Sequence, residues 1–260
     1  MPAPEHDLEL LTTAAGTAGE IALRYFRRDP EQWDKGDGQG PVTQADMEVN
    51  AALEQTLRGA RPDYGWMSEE SADEPARLRA ERVFIIDPID GTRAFIDGNS
   101  AFAHSIAVAE AGRIVAGVVF LPALDKLYTA AEGQGATLNH APIAVRRKDK
   151  LNGAQVLSNR AALERKHWPS GVPDVERVFR PSLAYRLCLV AEGRFDAMVT
   201  FRNAWEWDTA AGTLIAAEAG AAVSDGVGRA MRFNAPSRAH QGCIVAAPEL
   251  HAALLRHRSG

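Results

Sequence analysis

Apolar residues recur along the first part of the chain at the spacing of amphipathic helices. Between about residues 7 and 28 they fall every three or four positions, at Leu8, Leu11, Ala15, Ala18, Ala22 and Tyr25. This spacing predicts a first helix. A second helix is predicted from Thr43, because Asp46 follows it three positions later as in a capping box. Residues 29–41 between them are poor in apolar residues and rich in glycine, which predicts a loop.

Short apolar runs in the following segment predict buried strands. Residues 64–67 and 83–86 are two such runs, and acidic residues follow both of them closely. Residues 103–109 and 114–121 flank a turn at Glu110-Ala111-Gly112-Arg113, which predicts a β-hairpin. A further strand and turn are predicted over residues 126–136. The first half therefore has the character of an α+β unit.

The second half alternates strands and helices more regularly. Strands are predicted over residues 154–158, 174–180 and 197–200, and helices over 182–192 and 208–218, with Gly220 just after the last helix. The basic run Arg146-Arg147-Lys148 marks a polar connection. We therefore predict an N-terminal α+β half, residues 1–149, and a C-terminal α/β half, residues 150–260.

Charge and composition narrow the possible partners. The 260 residues carry a formal net charge of −5. A mildly acidic chain argues against general binding of nucleic acid or anionic membranes, both of which need a basic surface. The N-terminal segment lacks the features of a signal peptide, and the longest apolar stretch, residues 114–124, is too short to span a bilayer. The two cysteines, Cys188 and Cys243, have no metal-binding spacing and predict reduced thiols, so we expect a cytoplasmic protein.

The most informative segment is Asp87-Pro88-Ile89-Asp90-Gly91-Thr92. The predicted strand 83–86 would deliver both acids at its carboxyl end, where open α/β folds bind ligands. Two carboxylates three positions apart would repel each other unless a divalent cation lies between them, and oxygen ligands favour Mg²⁺ over zinc. The N–H groups of Gly91 and Thr92 would begin a helix and face a phosphate. The alternative, a surface turn with an aspartate N-cap, explains only one of the two acids.

Three further acids occupy comparable positions. Glu69 follows the strand predicted over 64–67, Asp208 precedes the helix predicted over 208–218, and Asp46 lies in the capping box. Each also has a plain structural interpretation: a solvated acid for Glu69, an N-cap for Asp208 and completion of the capping box for Asp46.

Four motifs in this order resemble the inositol monophosphatase superfamily, the lithium-sensitive, magnesium-dependent phosphatases. They are Pro41-Val42-Thr43-x-x-Asp46, Ser68-Glu69-Glu70, Asp87-Pro88-Ile89-Asp90-Gly91-Thr92 and Trp207-Asp208-x-Ala210-Ala211-Gly212. The resemblance spans nearly the whole chain. It implies a five-layer αβαβα sandwich, a bound Mg²⁺ cofactor, sensitivity to Li⁺ and hydrolysis of a small phosphate monoester. A homodimer is compatible with it.

The resemblance also assigns roles to residues of this chain. The implied metal ligands are Glu69, Asp87, Asp90, Asp208 and the Ile89 carbonyl. Thr92, together with Glu69, would activate the attacking water, and Asp46 would hydrogen-bond Thr92. Gly91, Thr92, Asp90 and Asp208 would contact the substrate. Lys35 would lie near the site, and Glu70 would help to hold a third metal. The N-terminal half would then carry the metal and phosphate site, and the C-terminal half would close it.

Details of the motifs favour the 3′(2′),5′-bisphosphate nucleotidase branch, with adenosine 3′,5′-bisphosphate as substrate. Inositol phosphatases typically have Gly where this chain has Ser68, and Glu where it has Phe201. Inositol 1-phosphate and histidinol phosphate are the alternative substrates. Arg93, Arg202 and Trp205 are candidate specificity residues, each of which could equally be a surface or packing residue.

Two other functional classes are alternatives to this interpretation. A phosphatase that forms an aspartyl-phosphate would need an Asp-x-Asp motif, whereas the spacing here is Asp-x-x-Asp. A catalytically inactive, metal-binding regulatory protein on the same fold is the non-enzymatic alternative, and the intact acids and Thr92 argue against it.

Overall fold

The structure of the chain, a computed structural model, describes residues 3–36 and 40–259. Within those residues there are six α-helices: α1 (Pro4–Tyr25), α2 (Gln44–Ala60), α3 (Thr92–Ile96), α4 (Leu183–Ala191), α5 (Glu206–Glu218) and α6 (Pro248–Ser259). The predicted capping box is confirmed at the start of α2, where Thr43 accepts from the Asp46 N–H and Asp46 accepts from the Thr43 N–H.

The large sheet is built from seven strands of the first half of the chain. In spatial order they are β3 (Gly65–Ser68), β4 (Arg82–Asp90), β5 (Ala103–Glu110), β6 (Arg113–Leu121), β7 (Lys126–Ala131), β8 (Ala136–Leu138) and β9 (Ala141–Pro142). Only β3 and β4 run parallel, and the remaining neighbours are antiparallel. The predicted hairpin is confirmed between β5 and β6, where Ala111 (φ 49°) and Gly112 (φ 79°) both adopt the left-handed conformation of a two-residue turn.

A second sheet of five strands comes from the later part of the chain. Its spatial order is β11 (Val175–Val178), β10 (Ala154–Leu157), β12 (Ala197–Thr200), β16 (Cys243–Ala246) and β14 (Ala222–Ser224). Two short ribbons complete the strands of the described residues, β1 (Gln32–Asp34) with β2 (Pro41–Thr43) and β13 (Ala204–Trp205) with β15 (Ala239–His240).

Three apolar cores stack these elements into five layers. The first core joins α1 and α2 to one face of the large sheet, through residues such as Leu11, Leu53 and Phe84. The second joins the opposite face of that sheet to α4 and α5, and these to the second sheet. The third joins the second sheet to α6, through Ile244 and Leu254 among others. The αβαβα sandwich expected from the resemblance is confirmed.

Four details differ from the sequence-based predictions. The strand predicted to end at residue 86 continues as β4 to Asp90, so both acids lie within it. Part of the loop predicted over 29–41 forms the β1–β2 ribbon, and residues 37–39, including Gly38, lie outside the described part. Helix α5 begins at Glu206, so Trp205, and not Asp208, is its N-cap. The strands and helix after Gly220 were not predicted.

The arrangement of strands bears on the division into two halves. All strands of the large sheet precede residue 143, and all strands of the second sheet follow residue 153. The boundary between residues 149 and 150 stays a prediction, because α4 and α5 pack against both sheets in one continuous core. Across the described residues, every helix is too short or too polar to cross a bilayer.

Candidate active site

A break in the ladder between β4 and β5 shapes the carboxyl end of β4. Asp87 pairs with Ser105 and Asp90 pairs with Ala103, and the register shifts between these two pairs. Such an irregularity changes the direction of side chains, and it accommodates Pro88, which has no N–H to donate to the ladder. Asp87 and Asp90 are 1% and 8% exposed. Two buried carboxylates therefore project from one short, kinked strand end.

Three carboxylates from different elements converge beside this strand end. One ligand oxygen from each of Glu69, Asp87 and Asp208 lies within 4.8 Å of the other two. The parallel pairing of β3 with β4 and the hydrogen bond from the Glu69 N–H to the Ile86 carbonyl, 3.1 Å, bring Glu69 alongside Asp87. The Ser105 hydroxyl donates to the Trp207 carbonyl at 2.8 Å and so fixes the first turn of α5, which carries Asp208.

The electrostatics of this carboxylate cluster call for a cation. Burial and the charges of Glu69, Asp90 and Asp208 raise the pKa of Asp87. Burial and the charges of Asp90 and Glu69 likewise raise the pKa of Asp208. Among the described residues, no group hydrogen-bonds the buried Oδ1 atom of Asp87. Hard oxygen donors with excess negative charge fit Mg²⁺.

Asp90 is oriented differently from these three carboxylates. Its Oδ2 accepts from the Ser182 hydroxyl and from the Ala184 N–H, both at 2.6 Å, so the carboxylate caps the N-terminus of α4. Burial raises the pKa of Asp90, and the two hydrogen bonds oppose that shift. Asp90 lies outside the close trio, yet its charge raises the pKa values of Asp87 and Asp208.

The hydroxyl of Thr92 is held by the start of α2 and by β4. Its Oγ1 donates to Asp46 Oδ1 at 3.3 Å or to the Ile89 carbonyl at 3.2 Å. The other carboxylate oxygen of Asp46 accepts from the N–H and the hydroxyl of Thr43, at 2.9 and 2.6 Å. Burial raises the pKa of Asp46 to about 6, against the lowering effect of the Thr43 hydrogen bonds. Asp46 thus both caps α2 and orients Thr92.

Lys35 and Glu70 form the outer edge of the carboxylate cluster. The Lys35 ammonium lies 2.7 Å from Glu69 Oε1 and also donates to Glu70. Burial and the charge of Glu69 raise the pKa of Glu70 to about 7. Burial lowers the pKa of Lys35, but the charges of Glu69 and Glu70 outweigh it and the net shift is upward. The resemblance placed both residues near the site, and the geometry brings both to Glu69.

Gly91 joins β4 to α3. Its φ of 98° lies in the left-handed region, where any other residue would be strained. The helix it begins has only five residues, so its dipole is small, and the predicted phosphate contact of the Gly91 and Thr92 N–H groups stays a prediction.

A cavity of about 590 Å³ opens beside the carboxylates. Glu69, Asp90 and Thr92 contribute to one wall. Its remaining polar lining includes three cationic side chains, Arg93, Arg186 and Arg202. Negative and positive walls face a common space, which suits a cation and an anionic substrate together. Trp205, the other predicted specificity residue, instead stacks on Trp207 with ring centres 4.9 Å apart.

Arg186 is the site residue that sequence reasoning missed. It is only 3% exposed, and it donates to the carbonyls of Ser182 and Pro181. Burial lowers its pKa to about 10, and the charge of Asp90 opposes this. The available signal was a single arginine within the otherwise apolar run of α4. Arg186 lines the cavity, and among the described residues no carboxylate forms an ion pair with it.

A side pocket of about 220 Å³ adjoins the main cavity. Asn159 and Arg202 line both spaces. The side pocket is bounded by Lys166 and by the rings of His167 and Phe201, whose centres lie 4.8 Å apart. Phe201 also packs under Arg258, with 4.1 Å from the guanidinium carbon to the ring centre.

The chain is similar in sequence and in fold to known proteins. The model of the inositol monophosphatase family matches residues 4–260. An inositol-1-monophosphatase of Rhizobium meliloti is 37% identical over 197 residues, which cover 72% of this chain and 73% of the relative. The 3′(2′),5′-bisphosphate nucleotidase CysQ of Salmonella typhimurium is 31% identical over 236 residues, 87% of this chain and 93% of the relative. The crystal structure of the extragenic suppressor protein suhB of Bartonella henselae superimposes with a TM-score of 0.84 at 29% identity, covering 97% of this chain and 98% of that one.

Proposed function

Because the chain belongs to the inositol monophosphatase family of magnesium-dependent phosphomonoester hydrolases, we propose that it removes one phosphate from adenosine 3′,5′-bisphosphate. The observation that carries the catalytic part is the convergence of Glu69, Asp87 and Asp208 within 4.8 Å beside the cavity. A surface cluster of acids would be solvated, whereas Asp87 is 1% exposed and has a buried oxygen without a partner among the described residues. Burying a charged oxygen without a hydrogen bond costs free energy, and a bound cation would offset that cost.

The proposed ligands are Glu69, Asp87, Asp90, Asp208 and the Ile89 carbonyl. Bound Mg²⁺ would lower the pKa of a water molecule and stabilise negative charge on the phosphoryl and leaving oxygens. The chain's own residues would do the positioning. Asp90, capping α4 with one oxygen, would keep the other directed at the cluster.

Thr92 and Glu69 are the proposed partners of the attacking water. The Thr92 hydroxyl hydrogen is directed to Asp46 or to the Ile89 carbonyl, which leaves the oxygen lone pairs free to accept a hydrogen bond from the attacking water. Glu69 would accept the second hydrogen bond. Lys35 would offset part of the negative charge of Glu69 and Glu70 before the cation binds, and Glu70 would then hold a further, weaker cation.

The nucleotide assignment rests on the walls of the two adjoining cavities. The phosphate that is not hydrolysed would meet Arg186 and Arg202, since guanidinium groups recognise phosphate with two parallel hydrogen bonds. The base would occupy the side pocket against His167 and Phe201, because aromatic walls favour planar rings. The similarity to the CysQ nucleotidase supports the same choice.

Inositol 1-phosphate is the second candidate. The higher identity to the Rhizobium meliloti inositol-1-monophosphatase, 37%, favours it. Against it stands Phe201, an apolar ring at the position where the resemblance would place an acid for the inositol hydroxyls. Phe201 contacts His167, Trp168 and Arg258, so its ring serves packing and the side pocket.

A panel of substrates tests the proposal. Phosphate release would be measured with Mg²⁺ for adenosine 3′,5′-bisphosphate, inositol 1-phosphate, histidinol phosphate and fructose 1,6-bisphosphate. We expect the nucleotide to have the highest kcat/KM, and we expect Li⁺ to inhibit. Asp87→Asn should abolish the phosphate release that the wild type shows with any substrate. An inactive regulatory protein would release no phosphate even as the wild type. Faster turnover of inositol 1-phosphate would reject the nucleotide assignment and leave the phosphatase assignment intact.

A matched pair of variants separates the two substrates. Arg202→Met removes a charge from both cavities, and we expect it to raise KM for the nucleotide by roughly 10-fold or more, as the loss of a charge-assisted hydrogen bond would. KM for inositol 1-phosphate should change little. The control is Arg113→Met, because Arg113, the first residue of β6, forms an exposed ion pair with Glu132.

A further inference from the structure

Glu206 is a buried acid that the proposed chemistry does not use. It is the first residue of α5, is 0% exposed, and lies two positions before Asp208. Its two carboxylate oxygens accept from the N–H groups of Asn234 and Ala235, the latter at 2.9 Å. Both oxygens are therefore committed to one loop of the chain. Hydrogen bonds to a charged, buried acceptor are among the stronger ones in proteins.

The same loop is held from its other side by Arg77. The Arg77 side chain is 0% exposed, and its Nη1 and Nη2 donate to Asn234 Oδ1 at 2.6 Å and to the Ala235 carbonyl at 3.2 Å. In return, the Asn234 amide donates to the Arg77 carbonyl at 3.0 Å. Asp73 pairs with Arg77 Nε at 2.7 Å and completes its hydrogen bonding. Asn234 adopts a φ of 59°, a conformation that asparagine tolerates better than most residues.

Arg77 in turn lies directly against β3, the strand that immediately precedes Glu69. A Cβ atom on Gly65, the first residue of β3, would lie 3.0 Å from Arg77 Cα, so the two backbones touch only because residue 65 is glycine. Strand β3 ends at Ser68, immediately before Glu69. Contacts from Gly65 through Arg77 and Asn234 to Glu206 therefore join the strand that precedes Glu69 to the helix that carries Asp208.

These contacts link the segments that position two mutually repelling acids. A ligand oxygen of Glu69 lies within 4.8 Å of one of Asp208, and carboxylates at this separation repel each other unless a cation lies between them. Some part of the fold must hold α5 against β3 and β4 at this separation. Directional hydrogen bonds fix the position of α5 relative to β3 and β4 more precisely than apolar packing does.

We propose that Arg77, Asn234 and Glu206 form a buried brace that sets the spacing of Glu69 and Asp208 and thereby the affinity of the site for Mg²⁺. The three are positioning residues, since none of them lines the cavity or contacts the cluster. The inference rests on the metal site of the proposed function.

The test measures Mg²⁺ binding to the metal-free protein by isothermal titration calorimetry. Glu206→Gln keeps the size of the side chain but presents an amide N–H₂ to one of the two backbone donors, and Arg77→Lys removes the fork. We expect each to weaken Mg²⁺ binding by about 10-fold or more, as loss of an orienting partner typically does. Asn234→Gly keeps the N–H that donates to Glu206 and the bond from Arg77 to the Ala235 carbonyl, and removes both side-chain hydrogen bonds between residue 234 and Arg77, so its effect should be intermediate. KM for substrate at saturating Mg²⁺ should stay at the wild-type value in all three.

The control is Asp7→Asn. Asp7 is also 0% exposed and accepts from Arg61, Tyr64 and Arg82, but this cluster lies at the other end of β4. It should lower the Tm of the metal-free protein as the brace variants do, with unchanged Mg²⁺ affinity. Wild-type Mg²⁺ affinity in Glu206→Gln and Arg77→Lys, with Tm lowered as in Asp7→Asn, would overturn the brace alone. Absence of Mg²⁺ binding by the wild type would overturn the metal site and the brace together.

Discussion

At the scale of single residues, the hydroxyl of Thr92 is the group whose removal should separate chemistry from binding. Thr92→Val keeps the branched shape but cannot bond Asp46, the Ile89 carbonyl or a water molecule. We expect kcat for phosphate release to fall by about 10²–10⁴-fold, the range for loss of a group that assists proton transfer. Thr92→Ser keeps the hydroxyl and should retain most of the activity. Equal losses in Thr92→Val and Thr92→Ser would show that the methyl group, rather than the hydroxyl, matters.

His104 is a second residue whose side chain has a specific structural role, because it stabilises the irregular end of β4. Its Nδ1 hydrogen-bonds the Pro88 carbonyl, and the ring is 0% exposed. Burial lowers its pKa from 6.5 to about 4, so the imidazole is neutral in the folded protein at pH 7 and Nδ1 carries the hydrogen. His104→Leu removes this bond, and we expect it to lower the free energy of unfolding by about 1–3 kcal/mol at pH 7.

The same shift gives the His104 effect a pH dependence. The unfolded chain binds a proton at this histidine near pH 6.5, whereas the folded chain binds it only near pH 4. The neutral ring therefore stabilises the fold above pH 6.5, and that contribution is lost as the pH falls towards 4. Urea unfolding at several pH values should show the gap between wild type and His104→Leu narrowing across this interval. A gap that widens on acidification would contradict the assignment of a neutral, buried ring.

At the scale of elements, the sequence predicted the type of each helix or strand better than its first and last residues. The apolar periodicity of α1, the capping box of α2 and the hairpin turn after Glu110 are local signals, and the elements formed where those signals lay. The end of β4 was misjudged because Asp and Pro usually end a strand, whereas here the ladder with β5 resumes at Asp90 after a shift. That continuation depends on a neighbouring strand, so the local pattern could not predict it.

The contact between α4 and α5 shows how element packing controls the site. Gly212 lies inside α5, and a Cβ there would approach Leu187 of α4 to 2.7 Å. These two helices carry Arg186 and Asp208. We expect Gly212→Ala to lower the free energy of unfolding by about 1–3 kcal/mol through overpacking, despite the better helix propensity of alanine.

Gly16 provides the matched control for Gly212. It lies inside α1, and a Cβ at this position would meet nothing within 4 Å. Gly16→Ala should therefore raise the free energy of unfolding by about 0.5–1 kcal/mol through propensity alone. Urea denaturation of both variants measures the difference. If Gly212→Ala were as stabilising as Gly16→Ala, the close packing of α4 on α5 would be wrong.

At the scale of the whole molecule, the site gathers residues that are far apart along the chain. The motifs indicated Glu69, Asp87 and Asp208 separately, and the residues alone left each with a structural alternative. Only the resemblance grouped them, since their meeting requires the large sheet and α5 to stack in one particular way. Arg186 and Glu206 were missed for the same reason: a charged residue in an apolar segment acquires meaning only when its neighbours in space are known.

The concentration of buried acids should make the stability of the metal-free protein fall as the pH rises. The pKa of Asp46 is raised from 3.8 to about 6 and that of Glu70 from 4.5 to about 7, and burial also raises those of Asp87, Asp90 and Asp208. Between the unfolded and folded pKa values the folded state holds more protons than the unfolded state. The contribution of these carboxyl groups to the stability of the folded state is therefore greatest below about pH 4. It is lost progressively as the pH rises through about 7.

Mg²⁺ should reverse this decline, because it binds the ionised carboxylates and not the protonated ones. We expect the Tm measured in EDTA to decrease from pH 5 to pH 8, and the increase in Tm on adding Mg²⁺ to be larger at pH 8 than at pH 5, over the window of the Asp46 and Glu70 shifts. A change of 1 kcal/mol moves Tm by roughly 2–4 °C in a chain of this size, so differential scanning calorimetry resolves the effect. Asp87→Asn removes one of the repelling charges and one proposed ligand, so it should flatten the EDTA curve and reduce the Mg²⁺ increment at both pH values. A Tm in EDTA that rises steadily from pH 5 to pH 8 would mean that these acids are not held together as a charged cluster in the folded chain.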